Sequence, residues 1–389
     1  INIMLQSVFQ RELHRMASRR IYWVACLVLP LFSLLFMATI FGDGQMKNLP
    51  VGVVDADNTS ASRDIVRMVD ATPTLQITHH YANETEARRA IRQKEIYGYL
   101  LIPSGFAEKV GNNEKATLCY YYHNAMLSVG GEVRSTFETL LKQTSITPIV
   151  TEAVALGEEQ SAIVSFLMPT SEEEFPTYNH HRNYAVYLSQ PFFFVFLQVL
   201  LLLVTIYALG SESKFGTSDE WLQTAQGNIG IAVWGKLLPY TFLFVMMGVL
   251  ANGVFFEWMQ IPCAGSLGVM NVVTILFIGA TQALALSLYA LFPVMGLIIS
   301  VASMIGSLGA TLSGVTFPVA FMDAPVYGAS FLFPVRHFME AVQSLLYLDG
   351  TFADYWTDIV ALLAFMCLPI PLLPRLKQAI ITHRYEKFE

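Results

Sequence analysis

Residues 210–240 read GSESKFGTSDEWLQTAQGNIGIAVWGKLLPY, a short polar stretch between two long apolar runs. Gly230, Gly235 and Lys236 have the spacing of a phosphate-binding loop, but that motif continues with Ser or Thr and follows a buried strand. Here residues 237–256 follow, and they carry no charge. Because about 20 apolar residues cross a bilayer as a helix, Lys236 is predicted to stand at the head of a membrane span. Nucleotide binding by this chain is therefore not expected.

The composition is that of an integral membrane protein. Hydrophobic residues make up 54% of the chain and charged residues only 14%, with a mean hydropathy of +0.49, whereas soluble proteins carry about 25% charged residues. Apolar runs long enough to form spans occupy residues 21–42, 183–211, 237–256, 258–322 and, more weakly, 359–374. The fourth run has room for two spans. We therefore expect six transmembrane helices, with both termini on one side.

Lys and Arg are concentrated in the two terminal flanks. They are Arg11, Arg15, Arg19 and Arg20 at one end and Arg375, Lys377, Arg384 and Lys387 at the other. Because cytoplasmic flanks are enriched in these residues, both termini are predicted to be cytoplasmic, in a multi-pass protein of the plasma (bacterial inner) membrane. The loop 211–235 would then be cytoplasmic although it is acidic, which a docked partner protein would explain. The net charge of -7 gives no reason to expect nucleic acid.

Residues 1–20 are predicted to form an amphipathic helix. Their apolar side chains recur at spacings of three and four, at Leu5, Val8, Phe9, Leu13 and Met16. The basic character of this stretch suits a helix that lies in the inner membrane interface before the first span. A cytoplasmic helix packed on a partner protein is the alternative.

Residues 43–183 have the composition of a soluble domain inserted between the first two spans. Strand and helix patterns alternate, which predicts an extracytoplasmic α/β domain. The strands are expected at residues 49–55, 74–81, 97–102 and 115–122, and the helices at 60–71 and 84–95. Helical spacing from Met126 to Leu167 predicts long helical arms that carry this domain. Paired histidines (79–80, 180–181) and the acidic triplet 172–174 lack metal-ligand spacing, so no metal is expected.

Residues 184–389 would supply the remaining spans. Small residues recur along the predicted fifth span, 294–316, which favours close helix packing; a face that lines a transport pathway is the alternative. These residues are Ser303, Gly306, Ser307, Ala310 and Gly314. Three prolines interrupt residues 318–355, and broken backbone at membrane depth must be covered by protein or water. This segment is therefore predicted to re-enter the outer leaflet as helices.

Four stretches together resemble a known family. They are LPVGVVDADNTSASRDIVRMVDATPTL (49–75), YGYLLIPSGFAEKV (97–110), the loop after the second span, and FPVRHFMEAVQSLLYLDG (333–350). They are similar to ABC-2 type transporter permeases, in particular the drug and antibiotic exporter-like branch with a large extracytoplasmic domain after the first span. The resemblance covers nearly the whole chain. One departure is that the family loop usually carries Arg-Glu, whereas Ser211 precedes Glu212 here.

The resemblance implies a permease subunit that pairs with a second copy or a related permease. It also implies separate ATP-binding cassette ATPase subunits on the cytoplasmic face, which would bind ATP and magnesium. This chain would then have no cofactor and no catalytic residue of its own. Membrane lipid and a periplasmic adaptor are further expected partners. The residues expected to couple the ATPase to transport are Arg11, Glu12, Glu212, Gly216, Thr217, Leu222 and Lys236.

The favoured function is export of a hydrophobic or amphipathic molecule, such as a drug or lipid, out of the cytoplasm or inner membrane. One alternative is a membrane receptor or scaffold whose inserted domain binds a partner. A second alternative is ion extrusion by the same architecture. The scarcity of charged residues inside the predicted spans disfavours ion transport.

Overall fold

The computed structural model of the chain describes residues 2–40, 42, 44–112, 114–155, 183–347 and 351–382. The chain separates into two compact units. The membrane unit comprises Ile1–Gly44 and Pro176–Glu389, and the inserted unit comprises Gln45–Phe175, against predicted bounds of 43–183. Within the described residues, six helices are long and apolar enough to cross a membrane. This is the number that the apolar runs predict.

The chain begins with helix α1, Asn2–Ser18, and then enters span 1, Arg20–Ile40. The buried side chains of α1 are Val8, Glu12 and Met16, which lie one turn apart on a single face. This face packs mainly against the third span, Ile229–Trp258. A glutamate on the buried face of a helix needs partners, and span 3 supplies them to Glu12.

The inserted unit contains a four-stranded sheet in the order β2-β1-β3-β4, in which β1 pairs in parallel with β2 and β3 and β4 is antiparallel to β3. The elements are β1 Leu49–Asp55, α2 Ser60–Asp70, β2 Leu75–His80, α3 Glu84–Gln93, β3 Gly98–Ile102, α4 Phe106–Gly111, β4 Cys119–Tyr122 and α5 Leu127–Ala155. The four strands fall at their predicted places, with ends that differ by up to four residues. Residues 156–182, with the rest of the predicted helical arms, lie outside the described part of the chain.

The other five spans are span 2 Ala185–Lys214, span 3 Ile229–Trp258, span 4 Leu267–Leu291, span 5 Met295–Leu312 and span 6 Phe352–Ile381. Helix α6, Ser218–Thr224, lies between spans 2 and 3. Span 2 is the central helix, with 67% of its most apolar window buried. It packs against spans 3, 4 and 5.

The predicted loop 211–235 is wrong in its bounds. Span 2 continues to Lys214, and span 3 begins at Ile229, where the side chain of Asn228 accepts a hydrogen bond from the Ile231 amide and caps the helix. The connection is therefore residues 215–228. Lys236 accordingly lies inside span 3, two turns from its beginning, and not at the head of the span.

The small residues of span 5 do not act as one stripe. Gly306 packs against span 2, where an added Cβ would lie 2.7 Å from Cγ2 of Val199. Gly314 lies beyond the helix end with φ +86°, so it is not part of a packing face within the helix. Ser303 and Ser307 are exposed and donate to carbonyls of their own helix. Ala310 is half-buried.

Two further helices, α7 Ala324–Ser330 and α8 Pro334–Tyr347, precede span 6 in the predicted re-entrant segment. The apolar face of α8 is buried against the bundle. Its Phe338 ring stacks on Phe277 of span 4, with ring centroids 4.3 Å apart. Span 6 begins at Phe352, earlier than the predicted residue 359, because Thr351 and Asp354 form a capping box.

Candidate functional site

Glu212, in the last turn of span 2, is the centre of a buried charge cluster. Its side chain is 1% exposed. Arg11 of α1 donates to both carboxylate oxygens, at 2.8 Å from Nη1 to Oε1 and 3.1 Å from Nη2 to Oε2. Arg15 Nη1 lies 2.5 Å and Lys236 Nζ 2.6 Å from Oε1. Because a buried charge is tolerated only when it is paired, these contacts fix α1 and span 3 to the end of span 2.

Lys236 links this carboxylate to a second one on α1. Its side chain is 0% exposed, and its Nζ donates to Glu12 Oε2 at 2.6 Å. Tyr240, one turn further along span 3, donates its hydroxyl to Glu12 Oε1, also at 2.6 Å. Both oxygens of Glu12 therefore have a partner on span 3. The two carboxylates and the lysine between them form a continuous path from α1 through span 3 to span 2.

The cluster contains three cations and three carboxylates once its surface member is included. Arg11 Nε donates to Glu220 Oε1 of α6 at 3.2 Å, and the Glu220 side chain is 68% exposed. Burial alone would lower the pKa of the Arg11 guanidinium, but the hydrogen bonds and charges of Glu212 and Glu220 raise it above its ordinary value. Arg11 therefore stays charged and connects the buried ion pairs to the surface of α6.

The local sequence explains how α1 reaches span 3. Arg11 and Arg15 lie one turn apart on α1 and so point to the same side, while Val8 lies one turn before Glu12. Val8 packs on Gly235, where an added Cβ would come within 2.8 Å of the Val8 Cβ. The missing side chain at Gly235 allows the close approach that brings Glu12 within reach of span 3.

The turn after span 2 fastens α6 to the same cluster. Gly216 adopts φ +63°, a left-handed conformation that favours glycine. The amide of Thr217 donates to the Glu212 carbonyl at 2.9 Å, and its hydroxyl donates to the Glu212 carboxylate. In α6, Trp221 Nε1 donates to the Ala232 carbonyl of span 3 at 3.1 Å. The short helix is thus held by both neighbouring spans.

Five of the seven residues predicted to couple an ATPase lie together in this cluster, namely Arg11, Glu12, Glu212, Thr217 and Lys236. Gly216 contributes only a turn. Leu222 is 8% exposed and packs in the apolar core beside the cluster. Sequence reasoning missed Arg15, Glu220 and Tyr240. The helical spacing of four from Arg11 to Arg15 was the one signal that could have found any of them.

The exposed side of the connection is separate from its buried charges. Glu212 and Leu222 are buried, so neither can touch a partner protein in this conformation. The exposed residues of the connection 215–228 are Phe215, Gly216, Asp219, Glu220, Gln223, Gln226 and Asn228. Phe215 is 48% exposed, and the Arg19 guanidinium lies 4.1 Å from its ring centroid. A docked partner would therefore meet this surface, and the buried cluster lies directly behind it.

The resemblance to a phosphate-binding loop has a structural explanation. Gly230, Gly235 and Lys236 all lie within the helix of span 3, and the Lys236 ammonium is held between two carboxylates. A loop that binds phosphate presents free backbone amides and a free lysine. Here the three residues lie in a helix and the lysine is already paired with carboxylates. Among the described residues, no three His, Cys, Asp or Glu side chains are grouped so that they could hold a metal ion.

The sequence matches the profile of a family described as "ABC-2 family transporter protein" over residues 20–372. No curated protein matches the chain. The matched range includes Glu212, Thr217 and Lys236, whereas α1, which supplies Arg11, Glu12 and Arg15, precedes it.

Proposed function

Since this chain belongs to the ABC-2 family of transporter proteins and is a permease component of an ABC transporter, we propose that it exports a hydrophobic or amphipathic molecule. The cargo would leave the cytoplasm or the inner membrane. A separate ATP-binding cassette ATPase would hydrolyse ATP, and a second copy or a related permease would complete the membrane assembly.

The observation that carries this proposal is the Glu212 cluster. It joins α1, α6 and spans 2 and 3 through ion pairs in which Glu12, Glu212 and Lys236 are buried, Arg11 and Arg15 are half-buried and Glu220 is exposed. Alternating access requires an element with two arrangements whose balance a ligand can shift. An ATPase docked on the exposed face of α6 would act on this cluster, because α6 is hydrogen-bonded to span 3 and the turn before it to span 2.

The assignment of ATP hydrolysis to another chain rests on the same geometry. Lys236 is the lysine of the loop-like motif, and both of its close partners are carboxylates of this chain. The orientation follows the distribution of basic residues, which places α1 and α6 on the cytoplasmic side. The acidic surface of α6 then supports a protein partner more than anionic lipid, since anionic lipid attracts basic segments.

The experiment uses Glu212→Gln in the full chain, purified with the ATPase that accompanies it. Glutamine keeps the size of the side chain but leaves Arg11, Arg15 and Lys236 facing a neutral group. We expect the ATPase to remain bound while export of a panel of fluorescent amphiphiles falls at least about tenfold, since 1.4 kcal/mol is a factor of ten and lost charged hydrogen bonds are worth more.

Glu257→Gln is the matched control, because Glu257 is an exposed carboxylate outside the cluster. It should leave both binding of the ATPase and export unchanged. Undiminished export by Glu212→Gln would refute the coupling role of the cluster. Failure of the wild-type chain to bind any ATPase would refute the proposed function as a whole.

A further inference from the structure

A cavity of about 390 Å³ lies in the membrane unit between the beginning of span 2, the end of span 5 and α8. Its lining includes Tyr187, Val315, Pro318, Val319, Glu340 and Gln343. Its volume falls within the range of about 300–1,000 Å³ that is usual for small-molecule sites. None of these residues belongs to the Glu212 cluster.

The cavity has an apolar wall and a separate set of polar groups on α8. Val315, Pro318 and Val319 supply an apolar wall. The Tyr187 hydroxyl is already committed, since it donates to the Val315 carbonyl at 2.6 Å, and its ring therefore adds to this wall. Glu340 and Gln343 lie three positions apart on α8, so their side chains point in nearly the same direction.

Glu340 lies beside both a cation and a second carboxylate. The groups that face it are Arg336 and His337 on α8 and Asp358 on span 6. Arg336 donates to Glu340 at 3.1 Å, and His337 Nδ1 lies 2.9 Å from the Asp358 carboxylate. Among these groups, Arg336 is the one whose positive charge is permanent, and its ion pair is with Glu340. Burial raises the pKa of Glu340, an effect that Arg336 opposes and that Asp358 reinforces, so a proton or another cation is favoured there.

The geometry disfavours an anionic ligand. Among the described residues, the permanent cation that contacts Glu340 is Arg336, which is 3% exposed, and its guanidinium lies 3.8 Å from the ring centroid of Phe331. The accessible polar groups are the Glu340 carboxylate, whose side chain is 37% exposed, and the Gln343 amide. A carboxylate beside an apolar wall matches a molecule with one positive charge and an apolar body.

We propose that this cavity, which we call the Glu340 cavity, binds the ammonium group of an amphipathic amine. The ammonium group lies at Glu340 and Gln343, and the apolar part packs against Val315, Pro318 and Val319. The inference rests on the proposed export function and narrows its cargo to amines with an apolar body. The bound amine takes the place of the proton on Glu340, so binding weakens as the pH is lowered and Glu340 is protonated.

Binding is measured on the full chain in phosphatidylcholine nanodiscs, by fluorescence titration with dansyl-cadaverine, a primary amine with an aromatic body. The neutral probe is its N-acetyl derivative. We expect the amine to bind at least about tenfold more tightly than the neutral probe, the usual size of a charged hydrogen bond. Glu340→Gln should abolish this preference, and Glu257→Gln should retain it.

Two further measurements separate a binding role from a structural one. Ala320→Trp enlarges an exposed residue at the cavity rim and should weaken both probes without affecting the fold. Affinity for the amine should fall with decreasing pH in the wild-type chain, whereas the neutral probe should show no such change. Equal binding of the two probes, or an unaltered preference in Glu340→Gln, would overturn the amine site while leaving the ATPase-driven function intact.

Discussion

Lys236→Met is expected to destabilise the membrane unit strongly. The Lys236 ammonium is fully buried and lies 2.6 Å from a carboxylate oxygen of both Glu12 and Glu212. Methionine has a similar length, so the substitution removes the charge and its hydrogen bonds without opening a large cavity. Glu212 keeps its two arginines, but Glu12 retains only the Tyr240 hydroxyl. The damage should therefore arise from one buried carboxylate that has lost its cation.

The magnitude follows from the burial of this pair. Removal of one partner from a buried ion pair costs about 3–5 kcal/mol. At about 2 °C per kcal/mol for a large domain, the apparent melting temperature should fall by about 6–10 °C. The double variant Lys236→Met with Glu12→Gln no longer contains the unpaired carboxylate. It should therefore regain more than half of the lost stability.

The assay measures the apparent melting temperature of the full chain in detergent. Fluorescence-detected size-exclusion chromatography monitors the folded fraction after heating. Glu257→Gln, which alters an exposed carboxylate outside the cluster, controls for loss of negative charge. A single variant that melts within about 1 °C of wild type would contradict the estimated cost of an unpaired buried charge. So would a double variant whose loss equals the sum of the two single losses, because the two residues would then not interact.

Two other predictions concern packing and the inserted unit. Gly235→Ala should lower the melting temperature, because its Cβ would lie 2.8 Å from Val8 and overpacking costs about 1–3 kcal/mol; Gly253→Ala, which meets nothing within 4 Å, should not. The Asp57 carboxylate accepts hydrogen bonds from the backbone amides of Phe106 and Ala107, at 2.9 and 3.1 Å. Asp57→Asn should therefore speed hydrogen exchange of these amides in the first turn of α4. The Thr59 hydroxyl and these amides lower the pKa of Asp57, so the wild-type protection should be present at neutral pH and lost as the pH falls through that lowered value. Equal exchange in Asp57→Asn and wild type would contradict this role.

Lys236 was predicted at the head of span 3 but lies inside it, and its surroundings explain the error. A charge at the edge of an apolar run is ordinarily the end of a membrane helix, since a single buried lysine is costly. Here the cost is offset by Glu12 and Glu212, which lie 224 and 24 residues away in sequence. No periodicity in one segment can reveal such pairing. The helix therefore begins at Ile229 and carries the lysine inside.

The inserted unit was easier to predict because its signals are local. Strand β1, Leu49–Asp55, coincides with the predicted strand, as expected for a short apolar run bounded by turn residues. Helix α4, Phe106–Gly111, was missed. It has only six residues, and its start is fixed by the Asp57 carboxylate from a different loop. Its existence therefore depends on a tertiary contact that residues 106–111 do not encode by themselves.

The buried ion pairs also determine what kind of motion the cluster can transmit. Glu212 has cationic partners on α1 and on span 3, and Lys236 has carboxylate partners on α1 and on span 2. If one of these elements moved alone, it would leave a buried charge unpaired at a cost of several kcal/mol. The three elements are therefore expected to move as one body. A partner that displaces α6, which is bonded to this body through Arg11 and Trp221, would shift spans 2 and 3 together. Deformation of the connecting loop alone would leave these ion pairs in place. We therefore propose that the buried charges carry the coupling and that the exposed face of α6 is the docking surface.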